Sequence, residues 1–393
     1  MDAVEQVDVL IVGSGPAGTS TALHLVRQDP DWAWKIVVVE KAIHPREKLC
    51  GGGVTHLGQR ILARLGIPFD LDHYSVRKAR ILFQDLSFSF IGNPVFRVVR
   101  RDEFDHWLVQ KAEEWGVNVR QGEALKNIQV HPNYVEVITE KAVFHAKVVV
   151  AADGSRSTVR QKLKWDDESR VARLLEILTP EDPKTTEEFR DGVAVIDFTP
   201  TSRGMQGYYW DFPSMVEGKS FMNRGVFDSR TQPKRPKANL VEELRDNLAD
   251  RDRNLDDYKL KGHPIRWFDK KGRFSIPRVL LAGDAAGTDP LVGEGISFAL
   301  GYGDVAAQAI ADAFEHQDFS FSDYRERILD HHLLKQLPTR LRLARMTYKV
   351  RSTFLTRLGV RFVTLLVRRS RWTDPEHDSS EPVRQYADDL KGK

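Results

Sequence analysis

Apolar positions along the chain resolve into short buried runs alternating with amphipathic stretches. Val7 to Val12 is an apolar run of strand length, and Thr19 to Arg27 carries helical spacing. Lys35 to Glu40 reads as a second buried strand. Leu57 to Leu65 is helical and stops at Gly66, a residue suited to a C-cap. From Ser75 to Val99 the period falls to two, with Ile81-Leu82-Phe83 and Phe88-Ser89-Phe90-Ile91 as strand centres. Arg101 to Trp115 returns to helix, with Phe104, Trp107, Leu108, Ala112 and Trp115 on one face and Gly116 at its end.

Val117 to Val150 supplies short strands and closes on Val148-Val149-Val150. Residues 166–190 read as charged and irregular, a boundary between lobes. Strands return at Val193 to Phe198, Gly207 to Phe212 and Ser220 to Phe227, followed by an amphipathic helix from Leu240 to Leu248. Val279 to Ala282 is one more buried strand, and Gly293 to Phe314 a long helix of small residues. The remainder reads as helical and basic to about Trp372, with a polar tail. The pattern predicts an α/β protein whose nucleotide lobe is discontinuous, with antiparallel material inserted between its strands.

Composition narrows the class. A net charge of only +3 implies no strong field for nucleic acid. The single cysteine, Cys50, excludes a disulfide within the chain and a cluster held by four of its own cysteines. No uncharged apolar stretch reaches the ~20 residues of a membrane span. The first residues do not fit a signal peptide, so a cytoplasmic protein is expected. The histidines show no zinc-type spacing, and no metal site is expected.

The first chemical signal is Gly13-Ser14-Gly15-Pro16-Ala17-Gly18, set between a strand and a helix. Gly13 permits the tight turn, Gly15 lets a pyrophosphate approach the backbone, and Gly18 lets helix and strand pack closely. The helix start offers free N–H groups and a positive dipole end to phosphate. Glu40, 22 residues past Gly18, is placed to accept hydrogen bonds from a ribose, with Lys41 beside it. These residues predict a dinucleotide site. Arg101 stands at a helix start, where its charge opposes the macrodipole, which points to a partner outside the helix. Tyr208, Trp210 and Phe212 alternate and so share one face of a strand. Three glycines after Cys50 suggest close approach of the backbone to a ligand.

Together with Arg101-Asp102-Glu103-Phe104-Asp105, Asp153-Gly154 and Gly283-Asp284-Ala285-Ala286-Gly287, the glycine turn resembles the FAD-dependent aromatic-hydroxylase superfamily. Lys48-Leu49-Cys50-Gly51-Gly52 resembles the cysteine–glycine loop of the geranylgeranyl reductase family within it. Tyr208-Tyr209-Trp210-Asp211-Phe212-Pro213 is similar to that family's substrate motif. The resemblance implies a Rossmann-like FAD lobe formed by residues 1–75, 99–165 and 275–325. It implies an antiparallel substrate lobe from 76–98 and 166–274, and a C-terminal helical extension over 326–393.

It also implies roles. Cys50, Gly51 and Gly52 would lie at the reaction site, and Asp284 would bond the flavin ribityl chain. Arg101, Asp153, Gly154 and Gly283 would border the cofactor, and Gly293, Gly295 and Ile296 would lead a helix start towards its pyrimidine edge. Tyr208, Trp210, Phe212 and Pro213 would wall an apolar tunnel. Phe227 stands where the family motif has a glycine and would reshape that pocket. The implied reaction is reduction of carbon–carbon double bonds in a polyprenyl chain, with NADPH or a reduced ferredoxin-type protein as electron donor. The alternative is an FAD monooxygenase acting on an apolar or aromatic substrate. Arg351 to Trp372, basic and apolar by turns, suggests a peripheral membrane contact suited to a lipid substrate.

Overall fold

The computed structural model describes residues 4–165, 171–350 and 356–358. The chain opens with β1 (Val4–Val12), α1 (Pro16–Gln28) and β2 (Ile36–Glu40). Next come β3 (Gly53–Thr55), α2 (His56–Leu65), β4 (Tyr74–Phe83), β5 (Leu86–Val98) and α3 (Arg101–Glu114). The short strands β6 (Asn118–Gln121), β7 (Leu125–Val130) and β8 (Val135–Thr139) lead to β9 (Val143–Ala151) and α4 (Thr158–Lys162). The middle holds β10 (Val171–Pro180), α5 (Glu187–Asp191), β11 (Val193–Asp197), β12 (Gly207–Val216), β13 (Lys219–Asp228) and α6 (Leu240–Ala249). Then follow β14 (Lys261–Arg266), β15 (Ser275–Ile276), β16 (Val279–Leu281), α7 (Ile296–His316), α8 (Tyr324–Asp330) and α9 (Leu337–Thr347).

Two sheets divide these strands. The first runs β15-β16-β9-β1-β2-β6, with β1 parallel to both β2 and β9. Val9, Leu10 and Ile11 are sealed from solvent, because helices cover both faces of a parallel sheet. The second runs β14-β10-β13-β12-β11-β4-β5-β3 and is largely antiparallel. The first sheet draws its strands from distant parts of the chain, as the discontinuous reading requires.

One reading needs correction. Within the predicted boundary 166–190, the described residues 171–190 are not irregular, because β10 fills half of them and lies inside the second sheet. Its charges disguised it: Arg173 pairs with Asp228 across the ladder, and Glu176 is buried. Of the basic segment 351–372, only 356–358 fall within the described residues. Among the described residues, no helix is long and apolar enough to cross a membrane.

Candidate functional site

The glycine turn is shaped by contacts that allow no side chain. Gly13 has φ +102°, and a Cβ there would stand 2.5 Å from the Ala152 carbonyl oxygen. A Cβ on Gly18 would lie 2.0 Å from the Gly13 oxygen, so α1 can pack on the turn only with glycine. Gly15 differs. It caps the start of α1, and a Cβ there would meet nothing nearer than the Arg46 guanidinium at 3.5 Å. Open space beside Gly15 is what an approaching phosphate needs.

Around this turn lies a cavity of about 650 Å³ that extends to the second sheet. Gly13, Gly15, Pro16, Ala17, Glu40 and Lys41 line its first end. Arg101, Asp153, Gly154 and Asp284 line its middle, and Gly293, Gly295 and Ile296 bring the start of α7 to it. A Cβ on Gly295 would meet nothing nearer than Asp284 Oδ1 at 3.9 Å. Two helix N-termini therefore open on one space, and both favour negative charge. Gly18 and Gly283 lie behind the wall; Gly283 has φ +59°, and a Cβ there would come within 2.7 Å of the Ala17 side chain.

Glu40 is braced. Its Oε2 accepts from the Ser14 N–H at 3.0 Å and the Ser14 hydroxyl at 3.1 Å, and its Oε1 from the Ala42 N–H at 3.1 Å. A ribose would share an acid already fixed in direction. Arg101 lines the cavity and is also paired within its helix: its guanidinium makes two bonds to Asp105, one turn along, at 2.8 and 3.0 Å. Burial alone would ease its proton off, but the acidic groups around it, Asp105 foremost, together outweigh burial and hold the charge on. Arg46 reaches the same carboxylate at 3.2 Å. Asp153 bonds the Val159 N–H at 3.0 Å, while its buried Oδ1 has no partner among the described residues. Burial raises its carboxyl above the usual range.

The inner face of the second sheet forms the other end. Strand register places Phe227 between Tyr208 and Leu174, and Gly225 between Trp210 and Glu176. Tyr208, Trp210, Phe227 and Leu174 line the cavity with Ile265 and Val292. The Tyr208 hydroxyl donates to the Val292 carbonyl at 2.5 Å, which ties this wall to the loop before α7. Phe212 and Pro213 do not line the cavity. Phe212 instead packs on Phe96, with ring centroids 5.3 Å apart, and lies behind Gly51.

The cysteine loop passes between the two ends. Cys50 and Gly51 line the cavity, whereas Gly52, at φ +76°, is pressed against Val99 behind them. The Cys50 carbonyl accepts from Asn223 at 3.0 Å, and the Cys50 sulfur lies 3.4 Å from the Gly52 nitrogen.

Sequence reasoning passed over one cluster. Lys48 Nζ sits 2.6 Å from His263 Nε2, and the Ser155 hydroxyl lies 3.2 Å from the same nitrogen. All three side chains line the cavity. Burial, then the Lys48 charge, drives His263 down to about 3, so its neutral ring accepts the lysine proton bond. Burial also lowers Lys48, against the pull of Asp284. No motif spacing could reveal a contact across 215 residues. Away from the cavity, Asp304, His331 and His332 also come together, with His331 Nε2 3.2 Å from Asp304 and His332 Nε2 3.0 Å from Arg64.

Open phosphate-sized space at Gly15, open space at Gly295 and an orphaned Asp153 oxygen fit a long nucleotide cofactor such as FAD. Residues 6–307 match the family model described as an FAD binding domain. The chain belongs to this FAD-binding family. It is an FAD-dependent oxidoreductase with geranylgeranyl reductase-like relatives.

Digeranylgeranylglycerophospholipid reductase 3 of Methanosphaera stadtmanae is 27% identical over 359 residues, covering 85% of each chain. Menaquinone reductase of Mycolicibacterium smegmatis is 28% identical over 325 residues, covering 77% of this chain and 76% of that one. Among solved structures, the geranylgeranyl bacteriochlorophyll reductase-like protein of Thermoplasma acidophilum shares the fold, with TM-score 0.75, 22% identity and 90% of both chains covered.

Proposed function

We propose that this flavoprotein reduces carbon–carbon double bonds of a polyprenyl, geranylgeranyl-type lipid. The observation that carries the reading is one cavity running from two helix N-termini to an aromatic wall, with the Cys50–Gly51 backbone between them. The relative named for digeranylgeranylglycerophospholipid reduction supports the lipid class.

In this reading the Gly13–Gly18 turn and the start of α1 hold the pyrophosphate of FAD, and Glu40 takes its ribose. Asp284 bonds the ribityl chain, and the start of α7 faces the ring edge that gains negative charge on reduction. Bound FAD supplies the hydride. The chain's own task is to hold the alkene and exclude water. Tyr208, Trp210 and Phe227 offer the apolar surface, and Gly51 keeps the loop thin enough for close approach. NADPH or a reduced ferredoxin-type protein is the electron donor. The site belongs to a cytoplasmic protein that visits the membrane surface. Leu343 and Met346, exposed one turn apart on α9, support such a contact, as does exposed Val350 just beyond it. Flotation with anionic vesicles checks it.

The rival reading is a monooxygenase on the same fold. Anaerobic mixing of the reduced protein with geranylgeranyl lipids separates the two. Return of the oxidised flavin colour without oxygen, with a saturated product by mass spectrometry, is the expected result. Colour that returns only with air, together with a hydroxylated product, would assign the monooxygenase instead.

A further inference from the structure

The loop of residues 289–294 leads into α7 and brings Val292 and Gly293 to the cavity wall. It holds two acids that do not themselves line the cavity. Asp289 is fully buried, and its carboxylate accepts the Leu291 N–H at 2.8 Å and the Val292 N–H at 3.2 Å, which folds the loop around it. Glu294 accepts the Thr55 hydroxyl at 2.7 Å, so it joins the loop to β3, just beyond the cysteine loop. Two carboxylates flanking one stretch of wall repel each other and any negative charge placed beside them.

A single cation answers both. Arg340, on α9, sets its Nη1 2.9 Å from Asp289 Oδ2 and 3.0 Å from Glu294 Oε2. Its guanidinium also lies over the Phe298 ring on α7, 4.9 Å from the centroid, which fixes its direction. Tyr348, just past α9, donates its hydroxyl to the Leu291 carbonyl at 2.7 Å. Packing of α9 needs no such arrangement, because the helix already buries Leu337, Leu341 and Ala344.

We propose that Arg340 is a positioning residue for the flavin: it holds the 289–294 loop from outside and cancels its carboxylate charge, so that the start of α7 offers N–H groups to a reduced ring. The proposal rests on the reading that places this helix start at the flavin edge, and extends it to a residue beyond the cavity. Arg340 does not line the cavity, so it acts through the loop and through its charge. Without it, two buried acids lose their counter-charge beside the helix start, and the loop loses its tie to α9. Both changes disfavour an electron-rich ring, which is stabilised by positive potential at that edge.

The potential of the bound flavin reads this directly, by reductive titration of the holoprotein against a reference dye. Arg340→Gln is expected to shift the balance about tenfold towards oxidised flavin, about 30 mV for a two-electron couple. Arg340→Lys keeps the charge and is expected to stay near wild type. Leu337→Ala loosens α9 by packing alone, and should lower the melting temperature while leaving the potential unchanged. Glu294→Gln removes one acid and keeps its shape, so it should shift the balance the other way, even where Arg340→Gln does not fold. An unmoved potential in Arg340→Gln or Glu294→Gln overturns the proposal, as does an equal shift in Leu337→Ala or Arg340→Lys. Gly295→Ala reports the cofactor's placement separately, because its Cβ meets no protein atom nearer than 3.9 Å. An unchanged flavin spectrum there overturns the placement and the proposal with it. A changed spectrum with an unmoved Arg340→Gln potential overturns the proposal alone. No alkene is present, so this test and the reductase assay can fail separately.

Discussion

The Trp210 indole lies across the backbone of Gly225 on the neighbouring strand. A Cβ at Gly225 would come within 2.4 Å of the indole ring and 2.3 Å of the Leu175 carbonyl oxygen. The register that pairs these residues also places Glu176 on the far side of the same glycine. Gly225→Ala should therefore displace the indole and destabilise the fold by about 1–3 kcal/mol, as overpacking does. A lower denaturant midpoint with altered tryptophan fluorescence is the expected result.

The space at Gly15 separates cofactor binding from folding. Its absent side chain touches only the far end of Arg46, so Gly15→Ala should keep the wild-type melting temperature of the apoprotein. The added methyl occupies the phosphate approach, and FAD affinity should fall by about tenfold or more, worth about 1.4 kcal/mol. Titration of apoprotein with FAD, followed by flavin fluorescence, checks both halves. Gly18→Ala, which collides with the turn itself, should instead fail to fold.

Phe227 is 2% exposed and packs on Tyr208, with centroids 5.5 Å apart, and on Gly293 at the entry to α7. Phe227→Ala should cost about 3–5 kcal/mol through the cavity it leaves. Phe227→Leu should cost less and still widen the pocket. Competition between short and long polyprenyl substrates is expected to shift towards the bulkier one in the leucine variant, with product ratios read by mass spectrometry.

Stability should depend on pH through Glu176. Its folded carboxyl, raised to about 7, holds a proton more tightly than an unfolded glutamate near ~4.3. The contribution is full below the unfolded value and is lost as pH rises through the folded one. Glu176→Gln should therefore gain on wild type by up to about 3 kcal/mol between mildly acid and mildly alkaline pH. Urea midpoints at the two ends of that window measure it; equal differences at both would remove the linkage.

Local pattern alone was enough for much of the molecule. The glycine turn, β1, α1 and β2 are written in adjacent residues, because a strand, a tight turn and a helix start are each satisfied within a few positions of the chain. The alternation of Tyr208 and Trp210 placed both on one face for the same reason. Strand β10 was hidden because its charges look solvated until Asp228 is brought against Arg173 and the sheet buries Glu176. Arg101 was legible as a misfit, but its pairing with Asp105 required the helix to form.

What the sequence by itself determined is the order of most elements and the dinucleotide turn, which depend on neighbours in the chain. What only the tertiary structure decided is which distant residues share the cavity. Lys48 with His263, Trp210 with Gly225 and Asn223 with Cys50 meet through sheet register and loop packing. Burial then lowers the proton affinities of Lys48 and His263, and burial is a property of the assembled fold, which no local stretch of sequence carries.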